Sequence, residues 1–112
     1  DGPDALRSSI AVPVDPGVYA FAREDVVVYV GVTLRSLRTR MGHYVAGHER
    51  QRTSHRVKQR ILDELRAGRR VDVLVATPGA MEWNGLPVNI AAGLEHGLIA
   101  GFRPAWNVQG VL

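Results

Sequence analysis

Apolar and polar positions along this chain recur at two different periods, and each change of period marks an element. Gly17-Val18-Tyr19-Ala20-Phe21 and Val26 to Val32 are β-rich runs flanking the polar Arg23-Glu24-Asp25, the pattern of a hairpin. A three-residue loop at 23–25 sets Ala22 against Val26 and Tyr19 directly against Tyr29, with both phenols on one face; a two-residue loop would put them on opposite faces. The pattern then becomes helical. Thr33 can cap a helix running from about Leu34 to Val45, and Thr53 or Ser54 another running to Ala67 before Gly68, with Val57, Ile61 and Leu65 as its apolar stripe. Alternation returns from Arg69 to Thr77, where Val71, Val73 and Val75 stand against Asp72 and Leu74, a third strand ended by Pro78 and Gly79. A turn-rich loop through Asn84-Gly85-Leu86-Pro87 leads to a last helix of about Asn89 to Phe102, which Pro104 keeps from continuing. The order β-β-α-α-β-α predicts a small α+β domain with helices packed on a three-stranded antiparallel sheet. Residues 1–16, with Pro3, Pro13 and Pro16, read as an arm, and 17–112 as the domain.

Two charged residues fall on stripes that should be buried. Leu37, Met41 and Tyr44 lie at i, i+4 and i+7 of the first helix, and Arg40 at i+3 shares their stripe, while Arg35 and Arg38 lie off it. On the last helix Ala91, Leu94, Leu98, Ile99 and Phe102 define the expected buried face, and Glu95 falls inside it. A lone buried carboxylate is costly, so Glu95 needs a cation, a metal or an open cleft beside it. Spacing alone leaves two readings open, a structural Arg40–Glu95 ion pair and a pair of catalytic groups.

Composition narrows the class. With 112 residues, 46% apolar, 22% charged and no cysteine, the chain suits one core and excludes both a disulfide framework and a thiolate zinc site. The longest apolar run, Val26 to Val32, is too short to cross a bilayer, and the stretch Ile90 to Phe102 contains Glu95 and His96. No charged segment precedes an apolar export signal, so the expectation is a cytoplasmic protein with no membrane partner. A start at Asp1 rather than Met fits a domain of a longer protein. Charge is concentrated in the middle: residues 35–70 hold ten Arg and Lys58 against three acids, a net +8, within a chain total of +3. This block is either a solvated Arg-rich face or a phosphate-binding surface. Arg50, Arg52, Arg56, Lys58 and Arg60, clustered around the link between the two helices, are the candidate backbone contacts.

Five pieces occur in an order that resembles one family. Gly17-Val18-Tyr19, then Tyr29-Val30-Gly31, then Leu37-x-x-Arg40 with Tyr44, then Glu95, then Pro104-x-x-Asn107 resemble the GIY-YIG endonuclease domain over roughly residues 16–108. The string Glu95-His96-Gly97-Leu98-Ile99 is similar to the nuclease domain of the bacterial excinuclease. The resemblance implies hydrolysis of nucleic-acid phosphodiesters, DNA first and RNA second, with one Mg²⁺ or Mn²⁺. It implies that Tyr19 acts as general base, that Tyr29 hydrogen-bonds the phosphate or the water, and that Arg40 sets its guanidinium on the phosphate. Glu95 would be the sole protein ligand of the cation, and Asn107 a support for the site. Both signature isoleucines are Val here. Four residues after the arginine some members carry His; this chain has Tyr44, which shares the Arg40 stripe, while His43 points away. His48, His55 and His96 have no zinc spacing and read as surface or helix-flank residues. Trp83 and Trp106 read as core or lid residues rather than stacking platforms. Specificity is expected from an added domain, a homodimer partner or the loop at 78–88. A non-catalytic nucleic-acid-binding module and a purely structural interaction domain are the competing readings. Repair, restriction, homing and toxin roles all stay open.

Overall fold

The first hairpin closes through two residues, not three. In the computed structural model, which describes residues 12–46 and 52–107 apart from the side chains of 43–46 and 52–54, strand β1 (Gly17–Arg23) turns into β2 (Val26–Thr33) through Glu24 and Asp25. Their φ angles are 49° and 71°, the doubly left-handed geometry that matches strand twist. Arg23 pairs with Val26 and Ala22 with Val27, but the register shifts between Phe21 and Ala22, so that Phe21 pairs with Tyr29 and Tyr19 with Gly31. Val28 is the extra residue, a β-bulge. The expected Tyr19–Tyr29 cross-strand pair is therefore corrected: Tyr19 faces Gly31. The bulge cancels the shorter turn, and the two phenols still share a face, with ring centroids 6.3 Å apart.

Strand β3 (Val71–Ala76) completes an antiparallel sheet of order β2-β1-β3. Helix α1 (Leu37–Ala46) and helix α2 (Arg52–Arg66) supply Leu37, Val57 and Ile61 to a core shared with Tyr19, Phe21, Val28, Tyr29 and Trp106. Full burial of each large apolar side chain contributes roughly 1.5–3 kcal/mol. On the alternate face Val18 and Val30 are buried, and α3 (Ile90–Phe102) packs against β1 and β2.

Several boundaries move for local reasons. Helix α1 starts three residues later than expected because Ser36 is its cap, its Oγ accepting from Thr39 N at 3.3 Å, while Thr33 Oγ1 accepts from Arg35 N in the preceding turn. Residues 12–15, placed in an arm by sequence, satisfy the first-turn donors: Leu37 N reaches Asp15 O at 3.0 Å and Arg38 N reaches Pro13 O at 2.9 Å. Helix α2 stops before Gly68, which has a φ of 80°. Its buried side is Val57, Ile61 and Leu62, with Leu65 exposed. Where a loop was expected, Met81–Trp83 (β4) and Leu86–Val88 (β5) form a small hairpin around Asn84-Gly85. Asn89 caps α3 by accepting from Ala92 N at 3.0 Å.

The expected buried face of α3 is not buried: Leu94 and Phe102 are exposed, as are Val73, Leu74 and Val75 of β3. Trp83 is 67% exposed and so is no core residue, whereas Trp106 is buried. Among the described residues no helix is long and apolar enough to cross a membrane.

Candidate active site

The two glycines of the sequence pattern sit at close approaches, and Gly31 is the one that seats Tyr19. Its ring lies across Gly31, where a Cβ would collide with the phenol, and a Cβ on Gly17 would collide with the Ala76 carbonyl of β3. Any side chain at 31 would push the ring away, so the glycine follows from close approach. The Tyr19 hydroxyl then meets helix α1: Arg40 Nε donates to it at 3.0 Å. Tyr29 flanks the pair and stacks on Phe21, with ring centroids 6.0 Å apart. Buried Tyr19 and Tyr29 are thus brought together with half-buried Arg40.

Asn107 lies on the outer edge of β2. Its Oδ1 accepts from Val30 N and its Nδ2 donates to Val30 O, each at 2.9 Å, the two bonds that a neighbouring strand would make. Trp106 N adds a third, to Val28 O at 2.7 Å. Asn107 and Trp106 thus cap the open edge of β2 on either side of Tyr29.

Glu95 stands apart on α3. It is half-buried, and among the described residues its carboxylate makes no hydrogen bond or ion pair, so the structural Arg40–Glu95 pair does not form. Burial pushes its carboxyl above the usual carboxylate range, with His96 nearby opposing the shift. No group of three or more metal-binding side chains occurs among the described residues. A desolvated carboxylate with no ion-pair partner among the described residues fits a divalent ion that keeps most of its waters rather than an all-protein cage.

The basic block separates into tied and open members. Arg69 and Arg23 pair with buried Glu64, holding its carboxyl below the ordinary range against the opposing effect of burial. Arg66 meets Asp63, and Arg70 meets Asp25 and Asp72. Arg38 donates to Val12 O and Arg56 to Trp106 O, both at 2.9 Å. Arg60 and Arg35 are exposed and Lys58 is half-buried. Arg50 and His48 lie outside the described residues, as do the side chains of His43, Tyr44 and Arg52. The Arg56–Trp106 contact and the Glu64 cluster have no local pattern in the sequence; Glu64 is buried beside Arg23 and Arg69 while its neighbour Asp63 is exposed.

Comparison with known proteins places this geometry among relatives. No family model matches the chain. UvrABC system protein C of Rhodococcus jostii is 35% identical over 101 residues, covering 88% of this chain and 11% of that protein. The chain therefore spans a small part of the length of the curated relatives it matches. Among solved structures, a mutant of bacteriophage T4 EndoII superposes with a TM-score of 0.70 at 25% identity, covering 96% of this chain and 85% of that one. The GIY-YIG N-terminal endonuclease domain of UvrC from Thermotoga maritima, bound to magnesium as its catalytic divalent cation, superposes with a TM-score of 0.58 at 24% identity, covering 88% and 90%.

Proposed function

The chain belongs to the GIY-YIG endonuclease domain family, and from that premise we propose that it is a metal-dependent endonuclease hydrolysing DNA phosphodiester bonds. The observation that carries this reading is the contact between a guanidinium and a phenol oxygen, Arg40 Nε to Tyr19 at 3.0 Å. A charged donor on that oxygen favours its deprotonated form, which is what a general base at this position requires. Tyr19 then takes the proton of the attacking water. The Arg40 guanidinium, held beside the Tyr19 oxygen, also carries the positive charge that compensates charge growing on the phosphate. Tyr29, on the same face, orients the water or a phosphate oxygen through its hydroxyl.

Glu95 would hold the Mg²⁺, or Mn²⁺ with the same oxygen preference, and the bound cation would supply charge compensation at the leaving oxygen. Tyr44, on the same helix as Arg40, is assigned to the site by its place on the stripe. Asn107 keeps β2 in place. Arg50, Arg52, Lys58 and Arg60 are assigned to the DNA backbone, where contacts are independent of sequence. Choice of target is assigned to a further domain or a second copy of the chain.

The test is incubation of supercoiled plasmid with the protein and Mg²⁺, wild type beside Glu95→Ala. The reading requires nicking by the wild type and none by the variant. Equal nicking removes Glu95 from the mechanism, and DNA binding without nicking under Mg²⁺ or Mn²⁺ supports a non-catalytic binding module instead.

A further inference from the structure

Arg56 belongs by charge and sequence position to the block expected to hold phosphate, yet its guanidinium is turned inward. Nη1 donates to the Trp106 carbonyl at 2.9 Å. That carbonyl shares its peptide unit with Asn107 N, which donates to Pro104 O at 3.1 Å. Trp106 is buried, and Val57, the next residue of α2, is fully buried too, so both ends of the contact are fixed by the core.

The Trp106–Asn107 strap bonds β2 at two residues only, Val28 through its carbonyl and Val30 through both backbone groups. These bracket Tyr29, and Val28 is the bulge residue. Alternate residues of a strand turn their N–H and C=O to opposite edges. Without the bulge the two-residue turn would set Tyr19 opposite Val30, turning the Val30 backbone toward β1 and Tyr29 to the other face of the sheet. Asn107 can therefore meet Val30 only in the bulged register. We infer that Arg56 is a positioning residue: by anchoring the strap it selects the bulged register of β2 and keeps Tyr29 on the face of Tyr19 and Arg40. This rests on the reading of Tyr29 as a site residue, although the register claim can be measured without any cleavage.

The experiment compares wild type, Arg56→Gln and Arg56→Lys in the full chain. The readouts are hydrogen exchange of the Val30 amide, nuclear Overhauser contacts between the Tyr19 and Tyr29 rings, kcat and KM for cleavage of plasmid DNA with Mg²⁺, and the salt dependence of DNA binding. In Arg56→Gln the Val30 amide exchanges about tenfold faster, consistent with losing one charge-assisted hydrogen bond from the anchor, and the ring contacts weaken. Its kcat falls about as much, while KM for DNA and the salt dependence of binding hold. Arg56→Lys, which keeps a charged donor, recovers most of the loss. Unchanged Val30 exchange overturns the proposal. So does a raised KM with a salt slope lowered by about one at unchanged kcat, the signature of a phosphate contact. Should Arg56→Gln not fold, Arg56→Met carries the same exchange measurement, because it keeps the apolar stem of the side chain and removes the donor to Trp106 O. If the wild type cleaves nothing, the exchange and ring contacts still decide the register claim, separately from the proposed activity.

Discussion

Arg40 Nε and the Tyr19 hydroxyl lie 3.0 Å apart, a hydrogen bond that joins helix α1 to the central strand across 21 residues of sequence. Arg35 and Arg38, within six residues of Arg40, have no such contact: the first is exposed, and the second donates to Val12 O. A general electrostatic role would make the three equivalent. The geometry predicts that Arg40→Ala slows cleavage by on the order of a hundred- to a thousand-fold with the fold retained, the usual effect of removing a donor aimed at the transition state. Arg35→Ala and Arg38→Ala should stay within a few-fold of wild type. Arg40→Lys should fail with the alanine variant, since an ammonium cannot keep Tyr19 and a phosphate on one planar fork. Single-turnover nicking of plasmid by the four variants checks the ranking.

Glu95 should cost the apo protein stability. Its carboxyl is raised above the ordinary range chiefly by burial, so the folded state holds the proton more tightly than the unfolded state. Stability therefore declines as pH rises through the folded value, and the cost is complete above it. Glu95→Gln should melt higher than wild type at neutral pH, with the gain shrinking as pH falls below that value and gone below the ordinary carboxylate value of the unfolded chain. The same proton competes with the cation, so Mg²⁺ affinity should weaken on mild acidification sooner than at an exposed carboxylate. Thermal melts and Mg²⁺ titrations across pH check both signs; a lower melting temperature for Glu95→Gln at neutral pH would mean that the carboxylate has a stabilising partner.

Gly31→Ala tests the seat of the Tyr19 ring. The new methyl would collide with the phenol, and interiors packed at crystal density yield little. Overpacking of this kind typically costs about 1–3 kcal/mol, and here it also displaces the hydroxyl from Arg40. Chemical denaturation should show that loss, and cleavage should fall further than stability does. Gly42→Ala, where the added Cβ meets nothing within 4 Å, is the control and should be neutral or slightly stabilising.

Salt dependence separates the open members of the basic block from the tied ones. Removing Arg60 should lower the slope of log affinity against log salt by about one, as for any lost phosphate contact. Arg66, Arg69 and Arg70 already pair with acids, so their removal should leave the slope unchanged. Equal effects at Arg60 and Arg66 would reduce the block to a solvated face.

Much of this was legible because it is local. The alternation in β1 and β2, the Gly68 stop and the Pro104 stop are short-range signals, and Arg40 stands out from its neighbours by helical period alone. A three-residue loop and a two-residue turn plus a bulge give the same parity, so either places Tyr19 and Tyr29 on one face, and sequence does not mark which strand takes the extra residue. The partner of Arg56 is 50 residues away, beyond any periodic signal. Helix α3 misled for another reason. Its residues are apolar nearly all round, so no contrast in the sequence says which side, if any, the rest of this chain covers.

The most direct test of the account is the rate of a single bond cleavage when one oxygen atom is removed. Tyr19→Phe keeps the ring over Gly31 and the core around it, and deletes only the group that Arg40 contacts. Single-turnover cleavage of plasmid DNA with Mg²⁺, at protein concentrations that saturate binding, should fall at least about a hundred-fold with melting temperature and DNA affinity close to wild type. A Tyr19→Phe protein that cleaves at the wild-type rate would contradict the proposal that Tyr19 and Arg40 form the catalytic centre.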